Sequence, residues 1–222
     1  MLLSINETAI LSEYYSRAAI KYPEAVKWLS DNKICVEKDF YICFIDIISK
    51  YTKISGKCSI YKKIGITRCD VSKWKTDFCS SKNKKKRYAV NHMKRLFGIS
   101  EEEELALLEK AGLALFPEDF DCRGTLSRKK VSNGLSEQMY RHIKKGNYIT
   151  KRSLIPIVLC EKMSVTETQN FLGSFGYCLS TSLLDDAVIL CEIAKGEFNI
   201  YVINELLYDL NLPLTGTRYY NC

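Results

Sequence analysis

An internal repeat restricts the fold of this chain more than any other feature of its sequence. Residues 90–115 align with residues 154–179 without a gap, at an offset of 64 positions. In both copies a serine, Ser100 or Ser164, is followed three residues later by glutamate, which is the spacing of a capping box. A glycine then stands where a helix would end. Each copy is therefore predicted to be a helix, a serine-capped turn and a second helix that stops at glycine.

Composition favours helices in the rest of the chain as well. Only 4 prolines and 11 glycines occur in 222 residues, so the frequent turn signals of a β-sandwich or barrel are missing. A hydrophobic content of 46% is ample for a packed core. We expect an all-α fold with N-terminal helices in residues 1–38, a helix-turn-helix domain in residues 39–115 and a second helical domain in residues 116–222.

Positive charge is concentrated in two blocks. Residues 57–95 contain thirteen lysines and arginines against two acids, and residues 128–152 contain eight against one. The formal net charge is only +7, so the remainder of the chain is acidic. Two basic blocks on an acidic background are typical of a protein that binds a polyanion, although they also fit two solvated faces.

The segment SIYKKIGITRCDVSKWKTD, residues 59–77, has the pattern of two short helices joined by a tight turn. Gly65 permits a positive φ in that turn, and Thr67 can cap the next helix. Val71 and Trp74, three residues apart, are predicted to be buried together with Ile60 and Ile64 of the preceding helix. The opposite, exposed face of the second helix would then carry Arg68, Cys69, Ser72, Lys73 and Lys75.

This segment, with the preceding helix at residues 39–54 and the following KNKKKRYAVNHMKRLFGIS, resembles the lambda-repressor-like helix-turn-helix family over about 60 residues. The resemblance implies that the second helix reads bases in the major groove and that basic side chains beside it hold phosphates. Asp70 departs from the family pattern, because it adds a negative charge to the helix expected to face DNA. By resemblance, Arg68, Cys69, Ser72 and Lys73 approach base edges, while Lys75 and a loop containing Lys82, Lys84, Lys85, Lys86 and Arg87 contact phosphates.

The second copy resembles a degenerate unit of the same kind, so the all-α fold is expected to contain tandem lambda-repressor-like units. Its upstream segment, residues 134–144, aligns with residues 65–75, and its basic residues are expected to contact phosphates or to solvate the domain. The string FNIYVINELLYDLNLPL resembles a helical module appended to assorted bacterial multidomain proteins, which implies a bacterial or phage source. The candidate phosphate contacts of this copy are Lys144, Lys145, Lys151 and Arg152.

Other classes of protein find less support in the sequence. There is no glycine-rich phosphate loop, no HExxH or GxSxG motif and no local pair of metal ligands, so neither an enzyme nor a metal or cofactor site is expected. No apolar run is long enough for a membrane span, and we expect a cytoplasmic protein. The predicted function is a DNA-binding regulator such as a repressor or a defence-associated factor, and the family resemblance suggests a homodimer on two half-sites. The alternatives are a protein-interaction adaptor or inhibitor and a binder of structured RNA.

Overall fold

The computed structural model describes residues 5–51, 57–80, 84–115 and 150–216, and this part of the chain contains α-helices and no β-strand. The all-α prediction is confirmed, and tandem lambda-repressor-like units stay a prediction. None of the described helices is both long enough and apolar enough to cross a membrane. In chain order the described helices are α1 (Ile5–Lys21), α2 (Pro23–Asp31), α3 (Phe40–Tyr51), α4 (Lys57–Ile64), α5 (Arg68–Trp74), α6 (Lys84–Phe97), α7 (Glu101–Lys110), α8 (Lys151–Cys160), α9 (Val165–Gly173), α10 (Leu184–Lys195) and α11 (Ile200–Asp209).

The described side chains form two hydrophobic cores. One core is formed by the five helices α3, α4, α5, α6 and α7, with Phe44, Ile64 and Met93 among its fully buried residues. Its buried residues lie within the predicted domain of residues 39–115. The other core combines α1 and α2 with α8 to α11, and it also contains Ile42, Phe78 and Cys79 of the predicted domain of residues 39–115. The N-terminal helices thus share a core with the C-terminal half, and the Tyr14 hydroxyl donates to the Ser182 carbonyl at 3.3 Å.

The internal repeat is present in the structure as two similar helix pairs, α6 with α7 and α8 with α9. The N-caps of α7 and α9, Ser100 and Ser164, each form the predicted capping box with a glutamate three residues later. The first N–H groups of a helix have no partner within it, and these reciprocal bonds satisfy two of them, so they define where both helices begin. The repeat prediction is therefore confirmed for the described residues.

The two copies meet through a short antiparallel bridge between Leu113 and Tyr177, which are equivalent positions of the repeat. The Ala114 N–H donates to the Gly176 carbonyl at 2.9 Å, and the Cys178 N–H donates to the Gly112 carbonyl at 3.2 Å. The two bonds are equivalent in the repeat, because Ala114 corresponds to Cys178 and Gly176 corresponds to Gly112. A local pseudo-two-fold axis therefore passes between the ends of α7 and α9.

One basic residue from each copy supports this bridge. Arg87 in α6 donates to the Ala114 carbonyl at 2.8 Å, and its repeat equivalent in α8, Lys151, donates to the Cys178 carbonyl at 3.0 Å. Lys151 also forms a buried ion pair with Asp186 of α10, with 2.5 Å between Nζ and Oδ2. Both side chains thus fix the segments that follow the second helix of each copy.

Candidate nucleic-acid interface

The candidate interface is built from α4, a three-residue turn and α5. Ile60 and Ile64 of α4 are buried, as are Val71 and Trp74 of α5, which confirms the predicted inner face. The Trp74 indole packs edge-on between two phenylalanines of α3, whose ring centroids lie 5.1 and 5.2 Å away. Edge-to-face aromatic packing adds to the stability from buried area. A helix of only seven residues is thus held down by its inner face.

The outer face of α5 is exposed. Arg68, Cys69, Ser72 and Lys73 are all accessible to solvent, as is Lys75 at the C-terminal end of the helix. This is the arrangement predicted from the spacing of the buried residues. The end of α5 is held by α1, because the Arg17 guanidinium donates to the Lys75 carbonyl at 2.9 Å. The opposite face of the helix remains exposed to solvent.

The structure shows why Asp70 does not oppose a basic role for this face. Its side chain is turned toward the start of the helix and is only 10% exposed. The carboxylate accepts the Thr67 N–H at 3.0 Å, while the Thr67 hydroxyl oxygen accepts the Asp70 N–H at 3.1 Å. Lys85 of α6 lies 2.6 Å from the other carboxylate oxygen. The exposed positions of α5 therefore carry arginine and lysine but no acid.

These contacts make the stability of the protein depend on the charge of Asp70. The hydrogen bond from Lys85 and the bonds from Thr67 lower the pKa of this carboxyl to about 2. Because the pKa is depressed in the folded state, the stabilisation is complete above the pKa of the unfolded chain and is lost as the pH falls toward the folded value. Asp70→Asn should lower the free energy of unfolding by about 1 kcal/mol at neutral pH, the usual size of a helix cap.

Urea unfolding of both proteins from about pH 7 down to about pH 2.5 measures this difference, which should shrink as the carboxyl titrates. Asp46→Asn is the matched control, since Asp46 is exposed on α3. A difference between wild type and Asp70→Asn that stays constant with pH would contradict the role of the carboxylate charge.

The basic segment after α5 is helical from Lys84 onward, so the prediction of a loop at residues 82–87 is wrong for Lys84 to Arg87. The α-helical period turns Lys86 inward, beside Ala89 and Val90. Its side chain is 1% exposed, lies 3.0 Å from an oxygen of Asp77 and sits over the ring of Phe40. Lys86 is not accessible to a phosphate, and the prediction that it contacts one is wrong.

Lys84 and Lys85 remain at the surface at the start of α6. Arg87 is half-buried, and its guanidinium donates to the Ala114 and Gly176 carbonyls. It therefore supports the bridge between the repeat copies. Of the predicted contacts in this segment, Lys85 touches α5 through Asp70, Lys84 is exposed next to it in the chain, and Lys82 lies outside the described residues.

The predicted contacts of the second copy do not form a comparable surface among the described residues. Lys151 is 5% exposed and paired with Asp186, so the prediction that it contacts a phosphate is wrong. Arg152 is partly exposed, and its guanidinium lies 3.8 Å from Asp185. Lys144 and Lys145 lie outside the described residues, as does the upstream segment of this copy.

Sequence reasoning missed several residues beside α5. Lys62 and Lys63 are exposed in the last turn of α4, which the turn at residues 65–67 connects to α5. Tyr88 of α6 is 49% exposed and lies against the turn, since a Cβ on Gly65 would stand 2.9 Å from the Tyr88 Cε1 atom. An exposed tyrosine four residues after Lys84, within a basic helix, is the sequence signal that points to this position.

The chain was compared with protein-family models, with curated proteins and with solved structures. No match was found in any of the three. The likeness to lambda-repressor-like proteins therefore stays a prediction based on residues 39–54, 59–77 and 82–100.

Proposed function

We propose that this chain is a DNA-binding regulator that places the outer face of α5 in the major groove. The observation that carries the proposal is the exposed row of Arg68, Ser72 and Lys73, with Asp70 turned away from it. The major groove is wide enough for one helix, and an arginine can bond two acceptors of a guanine edge. Charge for the phosphates would come from exposed lysines at the end of α4, at the end of α5 and at the start of α6, which are Lys62, Lys63, Lys75 and Lys84.

Selection from a pool of randomised duplexes, followed by fluorescence anisotropy, tests this proposal. Wild-type affinity should fall steeply between about 50 and about 200 mM salt, because bound cations displace the counterions of the duplex. The double variant Arg68→Ala, Lys73→Ala should bind the selected duplex about tenfold to a hundredfold more weakly and with a shallower salt dependence.

A charge-matched control removes two lysines from other surfaces. Lys27 and Lys162 are both exposed and lie outside the α4 to α6 surface, so Lys27→Gln, Lys162→Gln should retain wild-type affinity. Equal losses in the two double variants would mean that net charge, and not α5, determines binding. An enriched inverted repeat would indicate a homodimer on DNA, whereas a single short site would indicate a monomer.

A protein-interaction adaptor is the second candidate, and a different surface favours it. Tyr201 and Tyr208 of α11 are 66% and 73% exposed and, seven residues apart, lie on one face of the helix, and the adjacent Val202 is 43% exposed. Exposed aromatic residues are enriched where proteins dock. An adaptor would retain its protein partner in the Arg68→Ala, Lys73→Ala variant and would enrich no duplex. Competition with a folded RNA hairpin separates duplex DNA from structured RNA as the preferred ligand.

A further inference from the structure

A row of exposed side chains runs along α6, the helix that follows α5 in the chain. Lys84, Tyr88, Asn91 and Arg95 are all exposed, and their spacing of four, three and four residues places them on one side of the helix. The row contains two bases, an amide and a phenol, and no acid. This composition suits the backbone of a nucleic acid, whose phosphates accept hydrogen bonds from basic, amide and hydroxyl groups.

The Tyr88 ring is held in place by two neighbouring residues, Gly65 and His92. From one direction its ring approaches the backbone of Gly65, where any side chain would meet the ring at 2.9 Å. From another direction the His92 imidazole packs against the phenol, with 4.0 Å between ring centroids. The Nδ1 atom of His92 lies 3.0 Å from the Tyr88 carbonyl, which orients the imidazole. The phenol is thus held in one position before any ligand binds.

That position lies at the N-terminal end of α5. Gly65 belongs to the turn that leads into Thr67, the N-cap of α5. The neighbour of Lys84 in α6, Lys85, reaches Asp70 in the first turn of α5 at 2.6 Å. The first half of α6 therefore borders the end of α5 from which Arg68 projects.

We infer that Tyr88 is a nucleic-acid contact and that its hydroxyl donates a hydrogen bond to a phosphate oxygen of the strand whose bases face α5. This inference rests on the proposed function and adds a specific second contact to it. Because the ring is already fixed, little side-chain entropy is lost on binding. Lys84, one turn earlier on the same side, contributes charge to the same strand, so a phosphate there is contacted by a neutral donor and a cation.

Tyr88→Phe tests the inference, because it removes the hydroxyl and keeps the ring that packs on Gly65. A hydrogen bond to a charged acceptor corresponds to a loss of about tenfold in affinity for the selected duplex. The salt dependence should stay that of the wild type, since no charge is removed, whereas Lys84→Ala should lower the log–log slope by about one. Tyr208→Phe, at a residue 73% exposed on α11, should bind like the wild type.

The outcomes separate the two proposals. If Tyr88→Phe binds like the wild type while Arg68→Ala, Lys73→Ala is impaired, the tyrosine contact is overturned and the proposed function stands. If Tyr88→Phe is impaired while the double variant is not, α6 binds the duplex and the role of α5 is overturned. If the wild type binds neither duplex DNA nor RNA, both are overturned. Equal thermal midpoints of all variants exclude unfolding as the cause of a loss.

Discussion

Replacing Lys151 with Met is expected to lower the free energy of unfolding by about 3–5 kcal/mol, because the Asp186 carboxylate is then buried without its counter-ion. The side chains of this pair are 5% and 1% exposed. The ammonium group also donates to the Cys178 carbonyl at 3.0 Å, so one substitution removes two interactions. Methionine keeps most of the apolar stem of lysine, which limits the change in packing. Urea unfolding followed by circular dichroism measures the loss.

The control for this variant is an ion pair at the surface. Lys50 lies 2.6 Å from Glu103, and its side chain is 65% exposed, so Lys50→Met should destabilise the protein far less than Lys151→Met does. In the double variant Lys151→Met, Asp186→Asn the buried charge is absent, and part of the lost stability should return. Equal losses for Lys151→Met and Lys50→Met would show that the buried pair contributes no more than an exposed one.

The loss caused by Lys151→Met should also depend on pH. Burial raises the pKa of the Asp186 carboxyl above its usual range, and Lys151 opposes this shift. Without the lysine, the folded protein binds a proton more tightly than the unfolded chain does. The destabilisation should therefore shrink as the pH falls from about 8 to about 5, because the buried carboxyl becomes neutral.

The features that the sequence predicted correctly are those with a short period. Ile60, Ile64, Val71 and Trp74 recur at helical spacing, and their burial follows from that spacing alone. The capping boxes of α7 and α9 depend on residues three positions apart, and both were predicted because the same spacing occurs at equivalent positions of the repeat. Local patterns of this kind are visible without knowledge of how the helices pack.

The errors concern residues whose partners are distant in sequence. Lys86 belongs to a run of basic residues that predicts a solvated loop. It faces the core because α6 begins at Lys84, and the helical period then places Lys86 on the buried side. Lys151 can be buried because its ammonium group forms an ion pair with Asp186, 35 residues later. Asp70 was expected to weaken the recognition face, but its carboxylate bonds to the start of its own helix and to Lys85. Charge patterns predict where basic residues occur but not which of them have partners.

Gly112→Ala should destabilise the protein by about 4 kcal/mol or more, because a methyl group there meets the same buried ion pair. The residue has a φ of +66°, and its Cβ would stand 2.3 Å from the Lys151 Nζ atom and 2.9 Å from Leu183. The end of a lysine side chain normally moves aside, but here it is held between Asp186 and the Cys178 carbonyl. The substitution must therefore either displace the ammonium group or shift residues 112–114, which form the bridge to the second repeat copy.

Gly98→Ala separates backbone strain from this contact. Its φ of +61° is almost the same, and nothing lies within 4 Å of the added Cβ, so the cost should be only about 1–2 kcal/mol. Gly112→Ala should also cost less in the Lys151→Met background than in the wild type, since methionine ends one atom earlier and no longer reaches the Nζ position. Such coupling is measured by a double-mutant cycle of urea unfolding. Strictly additive losses, or equal losses for the two glycines, would show that the ion pair does not determine the space at Gly112.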